Sequence, residues 1–334
     1  MLKNTQWTKW LACGLFSTLA VSVQAKTIKW DMPNEYPGTS IQGAGDQFFG
    51  EKLNELTNGE IEVVHHFGGA LGFRSKDQLD AVGDGAVEIA NTFVPQLGGV
   101  NPIFTLSSLP FLVSTPKEAH ILYEVSKPYY DKHLAQYNQK LLYASPWPAS
   151  GLWGQKPYDS MESIEGLKMR SYDVNSSRVF RDANASPVQL SWADIVPQLT
   201  TGGIDGVLTS SESGLSASFN DYAKFFTEIN YDSTINMITM NLDTWEELSD
   251  EHKKAVNQAA LEAETFVWNN IDAAIARNHE VATSRGVTVV TELKPGYREE
   301  MKKLAEPAIQ AWTKSMGKDG EEIISEFRKR SDTN

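Results

Sequence analysis

The residue in this chain best placed to do chemistry is Arg170, at the centre of the stretch Glu165-Gly-Leu-Lys-Met-Arg-Ser-Tyr-Asp173. A Gly-Leu turn opens the segment and apolar alternation continues it, so the arginine rises from a strand whose backbone is fixed beneath it. Its planar fork of N–H donors can hold a carboxylate by two parallel hydrogen bonds. An arginine alone on a strand is ordinarily a surface or ion-paired residue that contributes little. Charge balance makes this one more informative: 43 acids against 30 bases leave a net charge of −13, so an anionic ligand is attracted only by a local cluster of donors. Arg74, in a glycine loop, is a rival. Arg178 and Arg181, spaced i,i+3, read as a solvated helix face.

The remaining chemical inventory is thin. His65 and His66 are neighbours on a strand and point to opposite faces, and His120, His133, His252 and His279 show no paired metal spacing. No metal site is expected. The sequence has no Gly-x-Ser-x-Gly elbow, His-Glu-x-x-His, Cys-x-x-Cys or dinucleotide fingerprint, and Gly68–Gly72 lacks the pattern that cradles a nucleotide phosphate. Asp205 and Glu212, seven residues apart across a strand end, define no acid/base geometry. A binding protein with no cofactor and no catalytic residue is one reading, for which the missing motifs are by themselves only weak evidence. A secreted hydrolase using Ser210 or Ser211 is the alternative of a different class.

The elements that must position Arg170 can be read from periodicity. Thr27–Met32 alternates as a strand, Ser40 caps a helix with apolar residues at Ile41, Ala44, Phe48, Phe49, Leu53 and Leu56, and Glu60–Phe67 is a second strand, which together open a βαβ unit. A helix from Ser75, a glycine turn and the short apolar strand Ala86–Ala90 recur as a pattern at Ile195–Ser210, which suggests two lobes built on one plan. Chain crossings between lobes are expected in the Pro- and Gly-rich Ser145–Gly151 and near Asn230–Ile235. From Glu251 to about Ser284 there is neither proline nor glycine, and a helical stripe persists; at ~1.5 Å per residue that helix is about 50 Å long, more than one lobe.

The first 25 residues read as an export signal: Lys3 and Lys9, an apolar run, and a small-residue exit at Val23-Gln-Ala25. The only cysteine, Cys13, lies within it, so the mature chain forms no disulfide and takes its net charge to −15. So acidic a chain repels nucleic acid at long range. The remaining 309 residues exceed what one compact core usually encloses. The expected division is 1–25 signal, 26–148 with 235–275 as lobe I, and 149–234 with 276–334 as lobe II.

The order of motifs around Arg170 resembles a known family. Gly166–Arg170, Trp192-Ala-Asp194 and Leu199-Thr-Thr-Gly-Gly-Ile-Asp-Gly206 resemble the signature of the periplasmic solute-binding subunits of TRAP transporters, the DctP-like proteins, and the resemblance runs over essentially the whole chain after residue 25. It implies an α/β, two-lobed periplasmic-binding-protein-like fold with a hinge and a long helix running along both lobes. It implies a periplasmic receptor, not an enzyme, that closes on an organic acid and hands it to a TRAP membrane permease; the expected state is a monomer. The family's ligand contacts match Phe73, Phe93, Ser150, Trp153, Arg170, Trp192 and Thr209 here. The sequence departs from the family at Asp205-Gly-Val-Leu-Thr-Ser-Ser-Glu212, where Thr209 replaces an asparagine, so hydroxyls of Thr209 and Ser211 are expected to stand in for the amide. Four aromatics, Phe73, Phe93, Trp153 and Trp192, favour a monocarboxylate with an apolar or aromatic body over a dicarboxylate or sugar acid. A sensor-linked binding protein without a transport role is a further possibility.

Overall fold

The protein, a computed structural model, is described over residues 27–331, so the signal segment and Cys13 lie outside the described residues. Strand β1 (Ile28–Pro33), helix α1 (Ile41–Leu56) and strand β2 (Ile61–His66) form the opening βαβ unit, with β1 and β2 parallel. Ser40 is the cap of α1, its hydroxyl accepting from the Gly43 N–H, and Asn58 and Gly59 end that unit's turn at positive φ. Helix α2 (Ser75–Gly83) leads into β3 (Ile89–Phe93), α3 (Pro116–Leu134) into β4 (Gln139–Pro146). The second lobe runs β5 (Ser150–Gly154), α4 (Met161–Ile164), β6 (Lys168–Ser171), α5 (Val174–Asp182), β7 (Ser186–Gln189), α6 (Ile195–Thr200), β8 (Gly206–Ser210), α7 (Ser211–Ser216) and β9 (Phe225–Thr227). The chain then returns through β10 (Ile235–Asn241), α8 (Leu242–Glu247), α9 (Asp250–Ser284), β11 (Thr288–Val290), α10 (Tyr297–Met316) and α11 (Lys318–Ser331).

The two lobes share a plan. In the first, β2 and β1 lie parallel, a bridge between Asn34 and Asn91 joins them to β3, and the order continues β3-β10-β4 with β10 antiparallel to both neighbours. In the second, β7, β6 and β8 lie parallel, followed by antiparallel β5 and then β9, with β11 on the far edge. Parallel strands whose connecting helices cover the sheet must be apolar on both faces. Among them β8 is buried along its whole length, as are the antiparallel-paired β3 and β10.

Two crossings join the lobes, from β4 to β5 and from β9 to β10, and they are bonded to each other. Trp147 N–H donates to the Thr234 carbonyl at 2.8 Å, Ser150 N–H to Asp232 at 2.9 Å, and Tyr231 N–H back to Ser150 at 2.9 Å. The third tie is α9. With 35 residues it spans about 52 Å; Ala255–Ala263 pack in the core beneath β1, β3 and β10, while Ala282 joins the core of the second lobe with Trp153, Phe219 and Phe226. The closing segment divides its packing. Tyr297, Met301 and Ala305 of α10 pack against second-lobe residues, whereas Ile309, Trp312, Ile323, Ile324 and Phe327 join the core around α3 and Phe104.

Candidate functional site

Arg170 leaves β6 at a position that pairs with Val207 of β8 and Val188 of β7, so three strands fix its backbone. Its side chain is buried, 2% exposed, and is held by two carbonyls: Nε–H donates to Leu190 at 3.1 Å and Nη1–H to Leu208 at 3.0 Å. Its Cζ lies 5.3 Å from the Tyr172 ring centre. Among the described residues no carboxylate forms an ion pair with it. Burial lowers its pKa, with Tyr36, Tyr172, Glu35 and Asp173 at longer range acting the other way; a guanidinium stays charged regardless. The result is a preoriented cation without a counter-ion, in a place where leaving a charge unpaired is costly.

Arg170 opens into a cavity of about 20 Å³, enough for one water. Phe93, Tyr36 and Trp147 line it from the first lobe and the crossing, Tyr172 and Trp192 from the second, with hydroxyls from Ser150, Thr209, Ser210, Ser213 and Thr234. The aromatics brace one another: Tyr36 meets Trp147 edge-on at 4.7 Å, Trp192 at 5.6 Å and Phe93 at 6.3 Å, and Phe93 meets Tyr172 at 5.9 Å. Walls so placed and a single cation suit a compact, flat, singly anionic molecule. Entry requires the lobes to part. Three contacts across the cleft hold them together as seen here: Glu212 Oε1 accepts from the Ile41 N–H at the start of α1 at 2.5 Å, Ser108 Oγ–H donates to Asp173 at 2.6 Å, and Arg74 lies 3.5 Å from Asp194. Arg74 is thereby accounted for as an interlobe ion pair.

Of the residues marked from sequence, the fold brings Phe93, Ser150, Arg170, Trp192 and Thr209 to one cavity. Phe73, Trp153 and Ser211 do not line it. Trp153 and Ser150 are three residues apart on one strand and so face opposite sides. Trp153 is 1% exposed in the core behind the sheet, where its indole N–H donates to the Ser210 carbonyl and its ring packs on Phe226 and Phe219. Phe73 packs on the small cluster of Ala81, Val82, Val87 and Ala90. Ser211 starts α7, and the turn from strand to helix presents Ser210 and Ser213 instead. Tyr36, Trp147, Tyr172 and Thr234 also line the cavity, beyond the contacts expected from sequence. Tyr172 is legible, since it lies two positions after Arg170 and shares its face; the others sit in turns and crossings where no period operates.

Asp232, fully buried in the second crossing, accepts from the Tyr172 hydroxyl, while its Oδ1 has no hydrogen-bond partner among the described residues. Burial, with a smaller push from Asp173, raises its pKa to about 7 despite the Tyr172 bond. An unfolded aspartate titrates near ~3.9, so between about pH 4 and 7 the folded protein keeps a proton that the unfolded chain releases. The sign follows: this group's contribution to stability is complete below pH ~4, falls by ~1.4 kcal/mol per unit as pH rises, and is flat above about 7. Asp232→Asn, which keeps an acceptor for Tyr172, therefore flattens the pH dependence of the urea midpoint between pH 4 and 8 relative to wild type. Parallel profiles for the two proteins would remove the assignment.

Comparison with known proteins adds the following. Residues 34–315 match the family model described as DctP, bacterial extracellular solute-binding protein, family 7. A monocarboxylate 2-oxoacid-binding periplasmic protein of Nostoc is 24% identical over 330 residues, covering 94% of this chain and 86% of that one. An extracytoplasmic solute receptor of Bordetella pertussis binding pyroglutamic acid superposes with a TM-score of 0.86 at 25% identity, covering 90% of this chain and 100% of that one. A marine metagenome TRAP solute-binding protein, in complex with co-purified pyroglutamate, gives 0.86 at 26% identity over 91% and 99%.

Proposed function

We propose that this chain, which belongs to the bacterial extracellular solute-binding proteins of family 7, is a periplasmic TRAP receptor for a compact cyclic monocarboxylate of the pyroglutamate kind. The observation that carries the reading is Arg170: a buried cation with two carbonyl partners, no carboxylate, and free donors beside an aromatic-walled cavity. A ligand carboxylate completes its bonding, and once the lobes part a flat ring lies against Phe93, Tyr36 and Trp192. The hydroxyls of Ser150, Thr209 and Thr234 are then available to a ring amide or carbonyl. Two structural relatives that bind pyroglutamate support the size and charge of this ligand, and the Nostoc relative supports a single carboxylate.

Delivery to a TRAP permease follows from family membership, and the mature chain acts outside the cytoplasm once the signal is removed. No histidine among the described residues lines the cavity, and the Ser210 hydroxyl is taken up by Ser213, its Oγ 3.0 Å away. The site is therefore read as binding without turnover.

Titration calorimetry of the mature protein against L-pyroglutamate, a branched 2-oxo monocarboxylate and D-glucuronate tests this. Pyroglutamate is expected to bind at micromolar or tighter dissociation constants, which needs only ~8 kcal/mol net, with glucuronate at least a hundredfold weaker. Preference for glucuronate, or failure of every acid to bind, would overturn the ligand class.

A further inference from the structure

Behind the cavity wall lies a chain of side-chain hydrogen bonds that the binding reading does not use. The Trp147 indole N–H donates to Asn236 Oδ1 at 2.7 Å, Asn236 Nδ2–H to Asn91 Oδ1 at 2.6 Å, and Asn91 Nδ2–H to Asp46 Oδ1 at 2.7 Å. A second branch reaches the same carboxyl: the Tyr36 backbone N–H donates to Asn34 Oδ1 at 2.8 Å, and Asn34 Nδ2–H to Asp46 Oδ2 at 2.7 Å. The Tyr143 hydroxyl donates to Asp46 at 3.3 Å. Asp46, Asn34, Asn91, Asn236 and Tyr143 are all fully buried, so none of these groups can turn to water instead.

The two far ends of this network are an indole N–H and a backbone N–H, which only donate. Each amide between them must therefore accept on the cavity side and donate on the inner side. The group where the branches meet has to accept from both, and of the side chains only a carboxylate offers an acceptor at each of two equivalent oxygens. Burial pushes the Asp46 carboxyl upward and the three donors pull it back.

We infer that Asp46 is the positioning residue of the binding site: resting on the reading of Trp147 and Tyr36 as its wall, the carboxylate polarises two chains of amides that hold both in place. An Asp46→Asn change puts an N–H₂ against Asn91 or Asn34. Relief by flipping Asn91 forces Asn236 to flip and turns its N–H₂ on the Trp147 indole; relief by flipping Asn34 turns its N–H₂ on the Tyr36 N–H. Neither end can reverse. Because Tyr36 rests on Trp147 and Trp192, disorder at either end spreads along the aromatic wall.

The test reads the protein without ligand, so it stands apart from whether pyroglutamate binds. The indole ¹⁵N–¹H signal of Trp147, assigned by its loss in Trp147→Phe, is followed in wild type and Asp46→Asn. In the variant it is expected to shift and to exchange with D₂O at least tenfold faster, while the indole of Trp312, bonded to the Pro102 carbonyl in a cluster that holds no member of the network, keeps its rate. Asn91→Ala, which cuts the branch next to Asp46 while leaving the carboxyl itself in place, should accelerate Trp147 likewise, and serves if Asp46→Asn does not fold. An unchanged Trp147 signal in either folded variant, or equal acceleration of Trp312, would overturn the assignment.

Discussion

Replacing Arg170 with alanine is expected to weaken binding of the saturating acid by about a thousandfold while leaving the ligand-free protein folded. Truncating one partner of a desolvated charge pair costs ~3–5 kcal/mol, most of it from stranding the other charge. In the ligand-free protein Arg170 has no such partner to strand, only the Leu190 and Leu208 carbonyls. Stability and affinity therefore separate at this residue. Arg170→Lys retains a charge but loses the planar fork, so it should recover only part of the affinity. Calorimetry beside urea denaturation decides the matter: a variant that unfolds readily and binds normally would make Arg170 a structural residue, and Arg74→Ala would then become the substitution to examine.

Trp153→Ala should do the reverse. The indole is fully enclosed by Phe219, Phe226 and the helix α7, which approaches so closely that a side chain on Gly214 would lie 2.2 Å from the ring. Removing a large aromatic from such a site costs ~3–5 kcal/mol through lost burial and the cavity left behind. Thermal unfolding should fall on the order of 10 °C, with the acid bound about as tightly as before wherever the variant is folded. A large loss of affinity with little loss of stability would return Trp153 to the cavity wall.

The contrast shows where the sequence was sufficient. Ser40, Asn58-Gly59, the proline-free run that became α9, and both crossings were legible because caps, positive-φ turns and unbroken apolar stripes leave local marks. Arg170 was legible through the Gly-Leu turn before its strand. The resemblance matches Trp153 to a ligand contact, whereas the period of two sets Ser150 and Trp153 on opposite faces of β5, and the strand keeps that period. Tyr36, Trp147 and Asp46 leave no local mark. The branch from Trp147 to Asp46 depends on contacts 45 to 145 residues apart in the chain, such as Asn91 with Asp46 and Asn236 with Asn91, which no window of sequence contains.

The central strand of the first lobe's sheet, β10, is made after the whole run from β5 to β9. Until residue 241 is available, β3 and β4 have no partner between them, and α9, which covers both lobes, comes later still. The amino-terminal part of the chain therefore cannot complete a core while the rest is being synthesised. Pairings at such sequence separation make for slow folding; the first lobe therefore stays open until the chain is nearly complete.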